Sequence, residues 1–382
     1  MKEIPREEFI ERIKRIQEKM LEKSLDAVVV HSHEADPANV RYVSDFWPIF
    51  ESAGVVIPRE GESILLVGPE SETYAIARSK IGKVRKLIEY RESAEPEYPG
   101  VSVSTFEDVF KEALNGRKIE KLGLIGYPIM PIAIYEKIRE TLPDARIVRV
   151  DDIMRQMRSV KSENEVILQR EAFRISEIAL DDVINKIKPG MTELEVVGII
   201  QESIYRNGAE YEGFPVYVLS GENSSFAICR PSHKVLKEGD LVQLDIGARV
   251  GGYSSSIGRP VSLGKMSPRV RKLVEVCLEA NEETVRLMRE GVEAREVARK
   301  FYDFVKSKGY GENLLYGPCH GLGLLETEPP WIEINSDYTL KKNMTFEVDT
   351  FLYDKDFGVR WEDGVRVTRE GAERYSSKRR EI

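Results

Sequence analysis

The chain has 382 residues, 65 acidic and 57 basic side chains, and a formal net charge of −8. At ~100–200 residues per domain this leaves room for two or three domains. The acidic balance lacks the basic stripe of a general nucleic-acid binder. No apolar run approaches the ~18 residues a membrane-spanning helix needs, and the charged opening MKEIPREEFIERIKRIQEKM is unlike a secretory leader.

Three cysteines, Cys229, Cys277 and Cys319, stand far apart with no CxxC pair. An odd, scattered set fits reduced thiols and a cytoplasmic location rather than a disulfide framework. Gln occurs five times and Asn ten, while Lys, Arg and Glu abound. Thermolabile amides are avoided and ion-pairing residues favoured in proteins of thermophiles, so a thermophilic source is expected.

In chain order, residues 6–24 have helical apolar spacing through Phe9, Ile10, Ile13, Ile16 and Met20. LDAVVV (25–30) reads as a buried strand. AGVVIP (53–58) and ESILLV (62–67) read as a pair, and KLGLIG (121–126) as another strand. Residues 1–150 are therefore an α/β domain with its own core. Residues 151–160 read as a charged linker. Ser162 then stands three residues before Glu165, a capping box opening a long amphipathic helix. Pro189–Gly190 ends it, and Thr192 with Glu195 opens the next helix the same way. A further helix is expected over 268–289. Strand pairs are expected at 216–220 with 226–229, 241–249 with 253–262, and 345–353 with 358–367. Residues 161–382 thus form an α+β domain, with helices on a mostly antiparallel sheet.

Two of these hairpins carry acids where acids are costly. Alternation puts Gln243, Asp245 and Gly247 on one face of their strand, with Asp245 expected opposite Ser256. In the last hairpin Asp349 is expected opposite Glu362, with Cβ atoms ~4.5–5.5 Å apart. Between the hairpins GPCHGLG (317–323) delivers His320 from a turn-rich loop. Inward carboxylates need a partner or a metal, and one imidazole with several carboxylates suits a divalent transition metal. The alternative is that arginines satisfy the acids: Arg249, Arg259 and Arg360 are all close in sequence. Spacing alone leaves both open.

The ordered segments RSVKSENEV, IKPGMTELEV, YEGFPVYVLSGENSS, LKEGDLVQLDIGARVGGY, HGLGLLETEPP and GVRWEDGVRVT span about 161–370. They resemble the pita-bread metallopeptidase family of aminopeptidase P, prolidase, methionine aminopeptidase and creatinase, most of all its aminopeptidase P/prolidase branch. Residues 1–150, with RYVSDF at 41–46, resemble the creatinase-type N-terminal domain. The resemblance implies a C-terminal pita-bread domain behind a smaller α/β domain, and a homodimer. It also implies five metal-binding positions. Asp245, His320 and Glu362 match them, Asp349 replaces a glutamate, and Ser256 replaces the aspartate that bridges two metals. Two further family histidines fall on Ile228 and Thr327.

A serine hydroxyl is a poor ligand beside a carboxylate. The resemblance therefore implies at most one divalent metal (Mn, Co, Zn or Fe), on His320, Asp349 and Glu362 with Asp245 adjoining, or none. Asp349 and His320 are the expected catalytic groups, and Arg360, Tyr253 and His233 the expected substrate contacts. Arg360 is expected either to neutralise Glu362 or Asp349 or to bind a substrate carboxylate. His31 and His33 read as loop residues, Cys319 as a small buried side chain, and Trp331 with Pro329–Pro330 as pocket wall. The implied activity is hydrolysis of an Xaa-Pro or related C–N bond in a small peptide or amide. A catalytically silent peptide- or protein-binding module is the alternative, and a hydrolase with metal-free chemistry a third reading. No nucleic-acid or membrane partner is expected.

Overall fold

The computed structural model describes residues 3–376 and 378. The chain divides into two compact units, Ile4–Arg158 and a unit made of Met1–Glu3 with Ser159–Ile382.

In the first unit the apolar runs form strands β1 (Ala27–Ser32), β2 (Ala53–Pro58), β3 (Ile64–Val67), β4 (Lys83–Lys86), β5 (Lys121–Ile125) and β6 (Arg146–Arg149), in the order β4-β3-β2-β1-β5-β6. β1 is parallel to β5 and antiparallel to β2. β1, β2 and β3 are buried on both faces, which is why they read as unbroken apolar runs rather than alternating ones. The helix Arg6–Glu22 buries Phe9, Ile16 and Met20, but Ile10 is exposed and Arg12 is buried instead. The Arg12 guanidinium lies over the Tyr42 ring and donates to the Tyr42 carbonyl at 2.9 Å. Helical periodicity cannot anticipate a buried cation satisfied in this way. Residues 151–159, expected as a linker, form a helix, Asp151–Ser159. Its charges mask an apolar stripe of Ile153, Met154 and Met157.

In the second unit both expected capping boxes are present, Ser162 with Glu165 and Thr192 with Glu195. They open helices Glu163–Lys186 and Glu193–Arg206. Helix Pro268–Leu287 ends two residues short of expectation. Strands β7 (Tyr211–Glu212), β8 (Tyr217–Ser220), β9 (Leu241–Ile246), β10 (Ala248–Val250), β11 (Tyr253–Ser254), β12 (Ile257–Ser262), β13 (Cys319–Gly321), β14 (Glu328–Ile332), β15 (Thr345–Asp354), β16 (Phe357–Val367) and β17 (Ala372–Arg374) follow. Most join one sheet in the order β14-β13-β15-β16-β12-β9-β8, with β17 beside β16; β7, β10 and β11 form a small separate sheet. The outer face of β15 and β16 packs Val348, Val359 and Trp361 against helices Pro268–Leu287 and Ala294–Ser307.

Two strand expectations are corrected. The pair 216–220 with 226–229 does not form: β8 pairs with β9, and 221–225 is a 3-10 turn. Its serines cap their own carbonyls, as Ser224 Oγ does to Gly221 O at 2.6 Å, so the chain curls instead of turning back. Asp245 lies opposite Gly258, not Ser256. The turn is Gly251–Gly252, both at positive φ, with Val250 paired to Tyr253. A two-glycine hairpin turn is the favoured tight connection, and it slides the register by two residues. A slide of two preserves the face, so Ser256 stays on the Asp245 side.

Candidate functional site

One face of β9, β15 and β16 carries Asp245, Asp349, Arg360 and Glu362, and Ser256, just before β12, joins them through Glu362. β15 and β16 pair Asp349 with Glu362 and Phe351 with Arg360, as a regular two-residue hairpin dictates. Asp245 and Glu362 meet across Gly258: a Cβ there would stand 3.0 Å from both side chains, so only glycine lets the two acids approach.

Arg360 is the hub. Its Nη1 is 3.1 Å from Asp245 Oδ2, and its Nε is 3.5 Å from both Asp349 Oδ1 and Glu362 Oε1. Its Nη2 donates to the Ala227 carbonyl and to the Tyr316 hydroxyl, each at 2.6 Å. The Phe351, Tyr217 and Tyr316 rings flank it at 5.0, 5.7 and 6.0 Å. Gln243 fixes the backbone beneath, accepting from Arg360 N at 2.9 Å and donating to Arg360 O at 3.0 Å. The same amide donates to Asp245 Oδ1 at 2.6 Å. Ser256 Oγ donates to Glu362 Oε2 at 2.7 Å.

Burial sets the electrostatics. It pushes the Asp245 carboxyl up to about 6, with Arg360 and Gln243 pulling the other way. Glu362 rises well above the carboxylate range through burial and the neighbouring Asp349 and Asp245. Burial works against the charge on Arg360, but Asp349, Tyr316, Asp245 and Glu362 hold its proton more firmly than usual. Three buried acids around one cation leave an excess of negative charge, which protonation relieves.

His320 lies in strand β13, not in a free loop, opposite Glu347 of β15. Its Nδ1 meets the Gly321 carbonyl at 3.1 Å and its Nε2 lies 3.4 Å from Glu326 Oε1. The ring sits 5.3 Å from Trp331. His320, Asp349, Arg360, Glu362 and Glu326 share a cleft of about 490 Å³ with apolar walls from Phe214, Tyr217, Tyr316 and Trp331. That volume suits a small organic ligand. Ile228, 87% exposed, and the exposed Thr327 stand at this cleft, where the resemblance has histidines.

Other expected residues lie elsewhere. The Tyr253 hydroxyl is buried on Glu165 at 2.7 Å, so the tyrosine serves the helix–sheet core rather than substrate. His233 is exposed and does not line the cleft. Arg259 neutralises Asp363 at 2.7 Å, and Arg249 caps the Gly213 carbonyl at 3.0 Å. Cys319 is buried, and burial with Glu347 and Asp349 nearby raises its thiol well above normal. His31, expected in a loop, is in β1; its ring nitrogens are buried without a hydrogen-bond partner, and burial and His33 lower its pKa to about 3. His33 Nδ1 accepts from Asp36 N at 3.2 Å.

Two acids were missed. Glu326 faces His320, and its position in an irregular loop gave no periodic signal. Glu347 is fully buried with neither carboxylate oxygen hydrogen-bonded, and burial with Glu362 and Glu326 nearby raises its pKa well above normal. Its two-residue spacing from Asp349 was a usable signal, because alternation places both on one face.

The donors do not fit a binuclear metal centre. Ser256 offers a hydroxyl in place of an acid, and it donates to Glu362. Arg360 sits among the remaining three carboxylates, while His320 Nε2 faces Glu326. Among the described residues no group of three or more His, Cys, Asp or Glu side chains is arranged to hold a metal ion.

Known proteins share both units. The pattern of metallopeptidase family M24 matches residues 168–369, and that of the creatinase/prolidase N-terminal domain matches 12–160. An Xaa-Pro dipeptidase of Pyrococcus horikoshii is 30% identical over 375 residues, covering 97% of this chain and 98% of that protein. An Xaa-Pro dipeptidase of Pyrococcus furiosus is 29% identical over 373 residues, 97% of this chain and 99% of its own. Among solved structures, an X-Pro aminopeptidase from Thermotoga maritima superposes with a TM-score of 0.84 at 28% identity, over 97% of this chain and 98% of its own. The prolidase from Pyrococcus horikoshii gives 0.84 at 28% over 97% and 99%. The expected fold class, a creatinase-type α/β domain before a pita-bread domain, is therefore correct.

Proposed function

Because this chain belongs to metallopeptidase family M24, we propose that it is a prolidase-like hydrolase of a C–N bond in a small peptide or amide, with an Xaa-Pro bond as the first substrate class to test. The observation that carries this is the convergence of Asp349, Glu362, His320 and Arg360 on one apolar-walled cleft of about 490 Å³, large enough for a dipeptide. With donors that do not fit two ions, at most one divalent metal enters the proposal.

Asp349 lines the cleft, and its Oδ1 makes no hydrogen bond, with Arg360 Nε 3.5 Å away. It is the oxygen free to take a proton from water as that water adds to the substrate carbonyl carbon. The Arg360 guanidinium lines the cleft and supplies positive charge for the oxyanion that forms. The C–N bond then breaks, and the leaving nitrogen takes the proton that Asp349 removed from water, which returns Asp349 to its starting state. The walls of Phe214, Tyr217, Tyr316 and Trp331 suit an apolar ring or side chain next to the scissile bond.

The test is hydrolysis of an Xaa-Pro dipeptide panel beside non-proline dipeptides, with chelator and with added Mn²⁺ or Co²⁺. Release of free amino acid that disappears in Asp349→Asn supports the reading. No turnover of any substrate under either condition overturns it in favour of a peptide-binding role. The relatives described above are peptidases by name and lend that role no support.

A further inference from the structure

The first unit carries a groove that hydrolysis in the second unit does not use. It lies between the helix Arg6–Glu22 and the segments that lead into β3 and β4, residues 61–63 and 80–83, and encloses about 490 Å³. We propose that this groove binds a small organic anion, an apolar body with one carboxylate or phosphate head group. The head group sits beside Arg6, and the body lies over Ile10 and Ile13.

Three observations carry this. The first is shape and surface. The helix turns one stripe to the groove, Arg6, Ile10, Ile13, Lys14 and Gln17, whose members recur three or four residues apart. Phe9 and Ile81 are buried beneath, while Ile10 is left 44% exposed, so an apolar body laid there removes further hydrocarbon from water. The volume is that of a small-molecule site. The second is charge. Four cations, Arg6, Lys14, Lys80 and Lys83, line the groove against one acid, Glu62, in a chain whose net charge is −8. Lys83 pairs with Glu62 at 3.2 Å and with Glu112 at 3.6 Å, and Lys80 lies 3.8 Å from Asp45. Among the described residues Arg6 and Lys14 pair with no carboxylate. Arg6 is still held in place, because its Nε donates to the Lys80 carbonyl at 3.3 Å and leaves the terminal nitrogens to a ligand. At Gly82 an added Cβ would stand 3.8 Å from Arg6 Nη2, so the backbone there leaves room beside the guanidinium. The third is a spare donor. Ser63 lines the groove, and its hydroxyl is buried with no hydrogen-bond partner. A guanidinium beside a carboxylate or phosphate makes the strong, charge-assisted kind of hydrogen bond. A bare anion would leave Ile10 in water, and a neutral hydrocarbon would leave the cations unused, so the ligand needs both parts.

The test reads binding by full-length protein and is independent of turnover. Octanoate and octyl phosphate are titrated by calorimetry, beside acetate and inorganic phosphate (head group without body) and 1-octanol (body without charge). At least one of the two octyl anions is expected to bind at about one per chain with a Kd at or below about 1 mM, more weakly as salt is raised; whichever binds more tightly identifies the head group. The three controls should bind at least about tenfold more weakly. Arg6→Glu and Ile10→Glu, both at exposed positions, should each weaken binding by about tenfold or more, with thermal midpoints checking that the fold is kept. Should Arg6→Glu not fold, Arg6→Gln takes its place. Asp349→Asn, in the cleft of the second unit, should leave binding as it is. No saturable binding of either octyl anion overturns the proposal. So does equal binding by Arg6→Glu, or by 1-octanol. Loss of binding in Asp349→Asn also overturns it, because the anion would then occupy the other cleft.

Discussion

Glu347 gives the sharpest test of the electrostatics. Its carboxyl is fully buried and lacks a hydrogen-bond partner, with Glu362, Glu326, Asp363 and Asp349 all opposing its ionisation. In the unfolded chain it titrates near ~4.3. A carboxyl whose folded pKa is raised binds more protons folded than unfolded between the two values. Its contribution to stability is therefore whole below the unfolded value and is lost as pH rises toward the folded one. While Glu347 stays protonated in the fold, that loss runs at about 1.4 kcal/mol per pH unit. Glu347→Gln keeps the shape and removes the titration. Between pH 5 and 7 the variant should gain on wild type, at a slope of at most about 1.4 kcal/mol per pH unit. Urea unfolding of both proteins across this range measures it, followed by tryptophan fluorescence. Trp331 and Trp361, two of the three tryptophans, report on the second unit. A difference that stays flat with pH would refute the reasoning and mean that Glu347 is charged and paired in the folded protein.

Three further outcomes are expected. Lys161 and Glu328 form an ion pair at 2.9 Å with both side chains 1% exposed; Lys161→Met alone should cost ~3–5 kcal/mol, and adding Glu328→Leu should restore most of it, as a double-mutant cycle in urea would reveal. Ser256→Ala removes the donor to Glu362 and should cost ~1–3 kcal/mol at neutral pH, less in acid where Glu362 is protonated; equal loss at pH 5 and 8 would contradict this. In the first unit the Tyr90 hydroxyl is buried with no partner, so Tyr90→Phe should leave stability unchanged or raise it by up to ~1 kcal/mol, and a clear loss by calorimetry would show that the hydroxyl is satisfied.

By itself, the order of apolar runs, capping boxes and glycine turns determined the two-unit layout. These signals are local: Ser162 with Glu165, Thr192 with Glu195 and the unbroken run at Ala27–Ser32 act over a few residues, and folding does not change them. Alternation likewise put Asp245 on one face of its strand and Asp349 opposite Glu362, and the resemblance marked Ser256 as a serine in place of an acid. Tertiary structure decided the rest, because it depended on what meets across strands distant in sequence. A two-residue slide at Gly251–Gly252 set Asp245 against Gly258. The carbonyl of Ala227 and the hydroxyl of Tyr316, 133 and 44 residues from Arg360, fixed its guanidinium among the acids. From sequence an arginine beside an acid reads equally as a substrate anchor or a counter-ion, since only the packing around it determines which groups its five N–H donors can reach.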